Sequence, residues 1–185
     1  PTPHDLLPLL AEVGLLPLGE GEIDVDRPVT HGGHENEFRE VVSVVSARTV
    51  IEVGSWQGRS AIAWGSALAE AGSDWLVMCV DTWLGSLEMW EQSTGDWSRE
   101  GLFVQDGLPS VFSTFKSNIR RAGIGDRVVA VPLDSAQGLE LLARRGVVAD
   151  IIYVDAAHDF ENALRDIRQA PVSYTHLTLP TTPYV

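Results

Sequence analysis

The sequence predicts an α/β domain built on a parallel sheet with helices on both faces. Four short apolar, largely β-branched runs alternate with helix-length amphipathic segments, and each run is followed within two residues by a glycine or an acidic residue. Strand–helix alternation of this kind implies right-handed crossovers and a parallel sheet. A length of 185 residues, 44% of them hydrophobic, fits one domain with a sizeable core.

The elements follow in order. Pro3, Pro8, Pro17 and Pro28, with Gly32-Gly33, punctuate the first 34 residues, which read as a short helix over Asp5–Val13 and then an irregular N-terminal arm. Phe38, Val41, Val42 and Val45 fall at i, i+3, i+4, i+7 and predict a helix over Glu35–Ser46. Thr49–Val53 is a strand ending in Gly54, and Ser60–Ala71 is an alanine-rich helix stopped by Gly72. The pattern repeats with a strand at Trp75–Val80, a helix at Val111–Ala122, a strand at Arg127–Pro132, a helix at Ala136–Arg145, a strand at Asp150–Val154 and a helix at Glu161–Ala170. The expected architecture is Rossmann-like, and in such sheets ligands bind outside the carboxyl ends of the strands.

Composition narrows the function. With 13 basic and 26 acidic residues the net charge is −13, a poor match for nucleic acid or an acidic membrane surface. No stretch approaches the ~20 apolar residues of a membrane span, and Cys79 alone supports neither a disulfide framework nor a multi-cysteine metal site. A soluble, cytoplasmic domain is expected. All 39 charged residues lie before Pro171, so Pro171–Val185 reads as a non-native read-through tail, and the start at Pro1 without Met reads as that of a fragment. The expected organisation is an arm over 1–34, a domain over 35–170 that lacks its last strands, and the tail over 171–185.

The strand ends carry the chemistry. After the first strand, Glu52-Val53-Gly54-Ser55-Trp56-Gln57-Gly58-Arg59 offers two glycines for a tight turn and close ligand approach. A dinucleotide fingerprint would need glycine where Trp56 and Arg59 stand, and no Gly-Lys-Ser/Thr follows. Glu52 suits a cationic ligand better than a phosphate; a plain turn with a salt-bridged glutamate is the bland alternative. The second strand ends Val80-Asp81-Thr82-Trp83, with Asp81 23 positions after Gly58 and able to accept two ribose hydroxyls. Asp134-Ser135 follows the third strand, either against an adenine edge or as a helix N-cap. Asp155 closes the fourth strand and His158 lies three residues on, a pairing that suits metal ligation or base chemistry, or merely caps the last helix.

In the order Glu52-Val-Gly54-x-x-x-Gly58, Val80-Asp81-Thr82-Trp83, Asp134-Ser135 and Tyr153-Val154-Asp155-Ala156-Ala157-His158-Asp159, the chain resembles the class I S-adenosylmethionine-dependent methyltransferases. It is most similar to the small-molecule O-methyltransferase branch, including metal-dependent sugar methyltransferases, over Glu35–Ala170. Trp56 departs from the commonest glycine pattern. The resemblance implies S-adenosylmethionine as cofactor, with Glu52 and Gly54 beside the methionine portion, Asp81 at the ribose, Asp134 and Ser135 at the adenine, and Ser55, Gly58, Thr82 and Asp155 completing the contacts. It also implies His158 as general base, Asp155 as a Mg²⁺ ligand and a small hydroxylated acceptor. Related enzymes take further carboxylates from a loop after a fifth strand, which is not legible within these 185 residues. A non-catalytic nucleotide-binding fragment and an NAD-dependent oxidoreductase are the alternatives, and homo-oligomerisation stays open.

Thr82–Pro109, 28 residues with Trp83, Trp90 and Trp97, is long for a connection and reads as a substrate lid or as a cover for the sheet flank. Trp64, Trp75 and Cys79 are expected in the core, and Arg120-Arg121 and Arg144-Arg145 at solvated helix ends. Left as an edge, Ile151–Val154 would be an aggregation hazard, so Val172–Leu179 is expected to pair beside it.

Overall fold

A computed structural model describes residues 2–29, 35–72, 74–94 and 98–155, together with the strand backbone of residues 174–178. Helices α1 (Pro3–Ala11), α2 (Glu35–Val45), α3 (Arg59–Ala71), α4 (Leu87–Glu91), α5 (Val111–Arg121) and α6 (Ser135–Arg144) accompany strands β1 (Thr49–Val53), β2 (Leu76–Val80), β3 (Val128–Val131), β4 (Ala149–Val154) and β5 (Tyr174–Thr178). The sheet has the order β3-β2-β1-β4-β5, and every pair is parallel. The strands and helices anticipated before residue 156 recur with their ends shifted by at most two residues. The helix expected over Glu161–Ala170 lies outside the described residues.

Strand pleating divides the core in two. Alternate positions such as Val50, Val77, Cys79, Val128, Ile151 and Tyr153 face α2, α3 and α5, where Phe38 stacks on Trp64 at 3.8 Å between ring centroids. The other set, including Ile51, Val53, Met78, Val80, Val129, Ile152 and Val154, meets α1 and α6. Gly138 of α6 makes the second contact close: a Cβ there would stand 2.4 Å from Val80 Cγ1. Trp64, Trp75 and Cys79 are buried as expected.

The N-terminal segment is more than an arm. Thr2 and Asp5 form a capping box that starts α1, and Leu6 and Leu10, one turn apart, are fully buried against the sheet. Beyond α1 the chain covers the sheet edge: Pro17 bridges to Val129, and the Leu18 amide donates to the Val128 carbonyl at 2.9 Å. The remaining stretch is held by α5. Arg120 donates to the Leu18 and Glu22 carbonyls at 3.1 Å, and Arg121 reaches the Val25 carbonyl and Asp26. The reading of Arg120-Arg121 as solvated helix ends is therefore corrected; a sequence pattern shows where a helix ends but not which distant segment comes to lie across it. On the opposite side β5 pairs with β4 in parallel, with Ile151 opposite His176 and Tyr153 opposite Thr178, as expected for Val172–Leu179. Among the described residues no helix is long and apolar enough to cross a membrane.

Because Leu10 is fully buried, Leu10→Ala should destabilise the protein by about 3 kcal/mol. Urea denaturation measures this, and a loss within 0.5 kcal/mol, as ordinary for a surface position, would show that α1 is not part of the cooperative fold.

Candidate active site at the strand ends

The carboxyl ends of the strands line up through backbone bonds that run past the strands themselves. The Gly54 amide donates to Val80 O at 2.9 Å, Asp81 N to Val131 O at 3.2 Å and Asp155 N to Val53 O at 2.8 Å. Gly54, Asp81 and Asp155 therefore occupy equivalent places on one rim.

Glu52 lies one residue inside that rim, on the face turned toward α3. It is 0% exposed, opposite Cys79 on β2 and Tyr153 on β4. The expected rim carboxylate is thus a buried one, and the alternative of a salt bridge is corrected as well: no ion pair reaches it among the described residues. The Ser55 hydroxyl donates to Glu52 Oε2 at 2.6 Å and the Cys79 thiol to the same oxygen at 3.7 Å, while Oε1 is buried with no hydrogen-bond partner among the described residues. Burial pushes the carboxyl up to about 7, partly offset by the hydroxyls of Ser55 and Ser60 and aided by the charge of Asp155. Burial, with Glu52 beside it, also drives the Cys79 thiol well above its ordinary range, so Cys79 is a packed apolar group rather than a nucleophile.

Asp81 joins two loops. Its Oδ2 accepts from the amides of Ser55 and Trp56, both at 2.9 Å, and its Oδ1 accepts from Trp83 N at 2.7 Å. The Trp83 indole then donates to Trp56 O at 2.9 Å, and its ring is buried against Phe112 and Phe115 of α5, each 4.9 Å away. Trp56 and Trp83 both hold left-handed backbone, with φ of 47° and 53°. Such a conformation costs a bulky residue about 1–2 kcal/mol, and it persists where the surroundings over-determine it. Gly58 also has positive φ, 92°, and opens α3. A Cβ on it would meet Phe115 at 3.0 Å, so this glycine serves helix packing as well as the turn.

The remaining expected residues are placed as follows. Asp134 caps α6 by accepting from Gln137 N at 2.9 Å, and Ser135 is the first residue of that helix. Thr82 is exposed and its hydroxyl accepts from Leu84 N at 3.2 Å. Asp155 is exposed at the end of β4, where the Tyr153 hydroxyl donates to it at 3.4 Å. His158, Trp97, Gly32 and Gly33 lie outside the described residues. Of the tryptophans in the long connection read as a lid or a flank cover, Trp83 is a core residue, whereas Trp90 is 37% exposed with its indole donating to Leu84 O. Among the described residues no group of three or more His, Cys, Asp or Glu could hold a metal. The interlock of Trp56 with Trp83 is not legible in the sequence; the only signal for it is a tryptophan two residues after the strand-end aspartate.

An open parallel sheet whose first strand ends in a glycine turn, tied to a carboxylate at the end of the second, has the class I methyltransferase architecture. The sequence profile described as "Methyltransferase domain" matches residues 51–172, and the chain belongs to that family. Solved structures agree in fold. The O-methyltransferase from Bacillus cereus in complex with SAH is 20% identical with a TM-score of 0.54, the match covering 91% of this chain and 59% of that one. Cofactor-bound Rv0187 from MTB is 20% identical at a TM-score of 0.51, covering 90% and 57%. The O-methyltransferase TomG from Streptomyces achromogenes, involved in tomaymycin synthesis and bound to SAM, is 16% identical at 0.50, covering 91% and 59%. This chain thus spans less than two thirds of the length of these structures. No curated protein sequence matches it.

The buried carboxyl makes stability depend on pH in a defined direction. Its folded value of about 7 lies above the 4.5 of an exposed glutamate, so the folded state holds the proton more tightly. The ionisation of Glu52 therefore costs no stability below about pH 4.5 and costs progressively more as pH rises to 7, by about 3 kcal/mol in full. Glu52→Gln should gain stability relative to the parent between pH 5 and pH 8. Denaturant midpoints that differ by the same amount at both pH values would contradict this placement of the carboxyl.

Proposed function

We propose that the protein transfers a methyl group from S-adenosylmethionine to a hydroxyl of a small molecule such as a sugar or natural product. The observation that carries this reading is Asp81, held at the end of β2 against the glycine loop in a chain of the methyltransferase-domain family. The Bacillus cereus and Streptomyces structures of the same fold hold SAH and SAM. Low cysteine content and an acidic surface fit a cytoplasmic enzyme.

The residues fit this cofactor. A carboxylate offers about four acceptor sites, and Asp81 uses three on backbone amides, which leaves one for a ribose hydroxyl. The Glu52 carboxyl, with Oε1 unpartnered among the described residues, ionises behind the Gly54 turn as pH rises past about 7, and its charge there favours an ammonium and a sulfonium over a phosphate. When bound, the cofactor supplies an electrophilic methyl group. Gly54, Ser55 and Gly58 border its methionine portion, Asp81 and Thr82 its ribose, and Asp134 and Ser135 its adenine edge. Asp134 can do this with the acceptor sites its helix cap leaves open.

Transfer is an in-line displacement, so the protein's task is to orient the acceptor oxygen and take its proton. His158 is the base in this reading, its imidazole accepting the hydroxyl proton as the oxygen attacks. Asp155 is the carboxylate that would ligate Mg²⁺ in this reading. The described residues do not complete a metal site, and the proton transfer is therefore derived without one.

Calorimetry separates this from the oxidoreductase reading: S-adenosylhomocysteine should bind and NAD should not, and the reverse would end the proposal. Asp81→Asn should weaken S-adenosylhomocysteine by about tenfold or more, since an amide cannot accept all three N–H groups. His158→Ala should abolish methyl transfer from labelled cofactor while leaving cofactor affinity unchanged, and full turnover would remove His158 as base. Turnover unaffected by EDTA would remove Mg²⁺. Binding without turnover in the parent protein would favour a non-catalytic module.

A further inference from the structure

The chain carries twice as many acidic as basic residues, so an unpaired cation is worth locating. Among the described residues Arg39, Lys116, Arg121, Arg127, Arg144 and Arg145 each pair with a carboxylate. Arg27, Arg48, Arg99 and Arg120 have no such pair there; Arg120 is taken up by backbone carbonyls, and Arg27 and Arg99 line one open groove of about 500 Å³ together with Ser93, Glu100, Phe103, Val104 and Gln105. That volume is within the range of small-molecule sites.

Arg27 is preorganised there. Its Nη1 donates to the hydroxyls of Ser110 and Thr114, both at 3.3 Å, and its guanidinium lies over the Phe103 ring at 3.8 Å. The Ser110 hydroxyl is itself fixed by donating to Phe103 O at 2.8 Å. Two hydroxyls and an aromatic face thus hold the planar fork, and its Nε and Nη2 make no hydrogen bond to any described residue. A fork held in this way is suited to bidentate recognition of an oxyanion, with little rotamer entropy left to lose. Arg99 is exposed and unpaired, a second cation on the same groove. Glu100 also lines it without pairing to either arginine, and a neutral or cationic ligand would leave both guanidinium charges unanswered.

The groove and the candidate active site share the first turns of α5. Ser110 and Thr114, one turn apart, hold Arg27 on one side, and Phe112 and Phe115 of the same helix pack on Trp83, two residues from Asp81. Ser93 and the lining residues between Arg99 and Gln105 belong to the connection leaving the carboxyl end of β2.

We propose that this groove is the acceptor's anion subsite: the molecule that is methylated carries a carboxylate or phosphate, received by Arg27 and Arg99. The inference rests on the methyltransferase reading and gives its acceptor a charge class. The subsite adds no chemical step; it orients the hydroxyl-bearing molecule by its anionic end.

The test is calorimetric titration of the full chain with benzoate, benzyl alcohol and inorganic phosphate, beside S-adenosylhomocysteine. Benzoate or phosphate should bind, with benzyl alcohol at least about tenfold weaker. Benzoate alone identifies a carboxylate acceptor, and phosphate alone a phosphorylated one. Arg99→Ala, at an exposed position, should weaken the anion about tenfold without changing S-adenosylhomocysteine affinity, and Arg27→Lys should weaken it while keeping the charge, because the fork is lost. Equal binding of benzoate and benzyl alcohol, or anion affinity unchanged in both variants, would overturn the subsite while leaving the cofactor reading intact. Anion binding through these arginines in a protein that ignores S-adenosylhomocysteine would overturn the acceptor role together with the methyltransferase reading.

Discussion

The Asp81 carboxylate organises the upper rim of this domain. It accepts the amides of Ser55, Trp56 and Trp83, and so joins the loop after β1 to the loop after β2. These amides lie where the chain has left one strand and has not yet started a helix, and backbone groups in that position need partners from outside regular structure. One side chain serves three of them. The indole of Trp83 then closes the circuit on Trp56 O, and burial of its ring against α5 fixes the connection to the core. The left-handed backbone of both tryptophans is sustained by this set of contacts, and any ligand at the rim is presented with loops already in place.

Acidity is graded across the same rim. Glu52 is enclosed and shares the proton economy of the interior, Asp81 is half-buried and engaged by amides, and Asp134 and Asp155 are exposed. Position along the strand decides the difference: Glu52 is the penultimate residue of β1 and points into a helix-covered face, whereas the others stand beyond the last strand residue. Where Glu52 is ionised, its carboxylate biases the turn above it toward positive charge without standing in solvent.

The cations complement this arrangement. Arg120 and Arg121 tie the N-terminal segment to α5, and Arg27, carried by that same segment, returns to the head of α5. The segment thus does three things: α1 completes one side of the core, Pro17 and Leu18 cover the β3 edge, and Arg27 is delivered to a groove lined by the connection between β2 and α5.

Local pattern was enough to read the strands and every helix but the five-residue α4 up to residue 155, because runs such as Thr49–Val53 and Leu76–Val80 are buried on both faces and the longer helices between them show regular apolar spacing. The same spacing places Gly54, Asp81, Asp134 and Asp155 at strand ends, since each stands immediately beyond an apolar run. What the sequence could not decide was which of these acids would be solvated, which would bind backbone and which would be buried; that depends on pleat direction and on the helix above. Nor could it assign Arg27, Arg120 or Trp83, whose partners lie 27 to 102 residues away. Periodicity is a property of neighbours in the chain, whereas the interlocked loops, the clamped N-terminal segment and the arginine groove are made by segments that meet only when the sheet has formed.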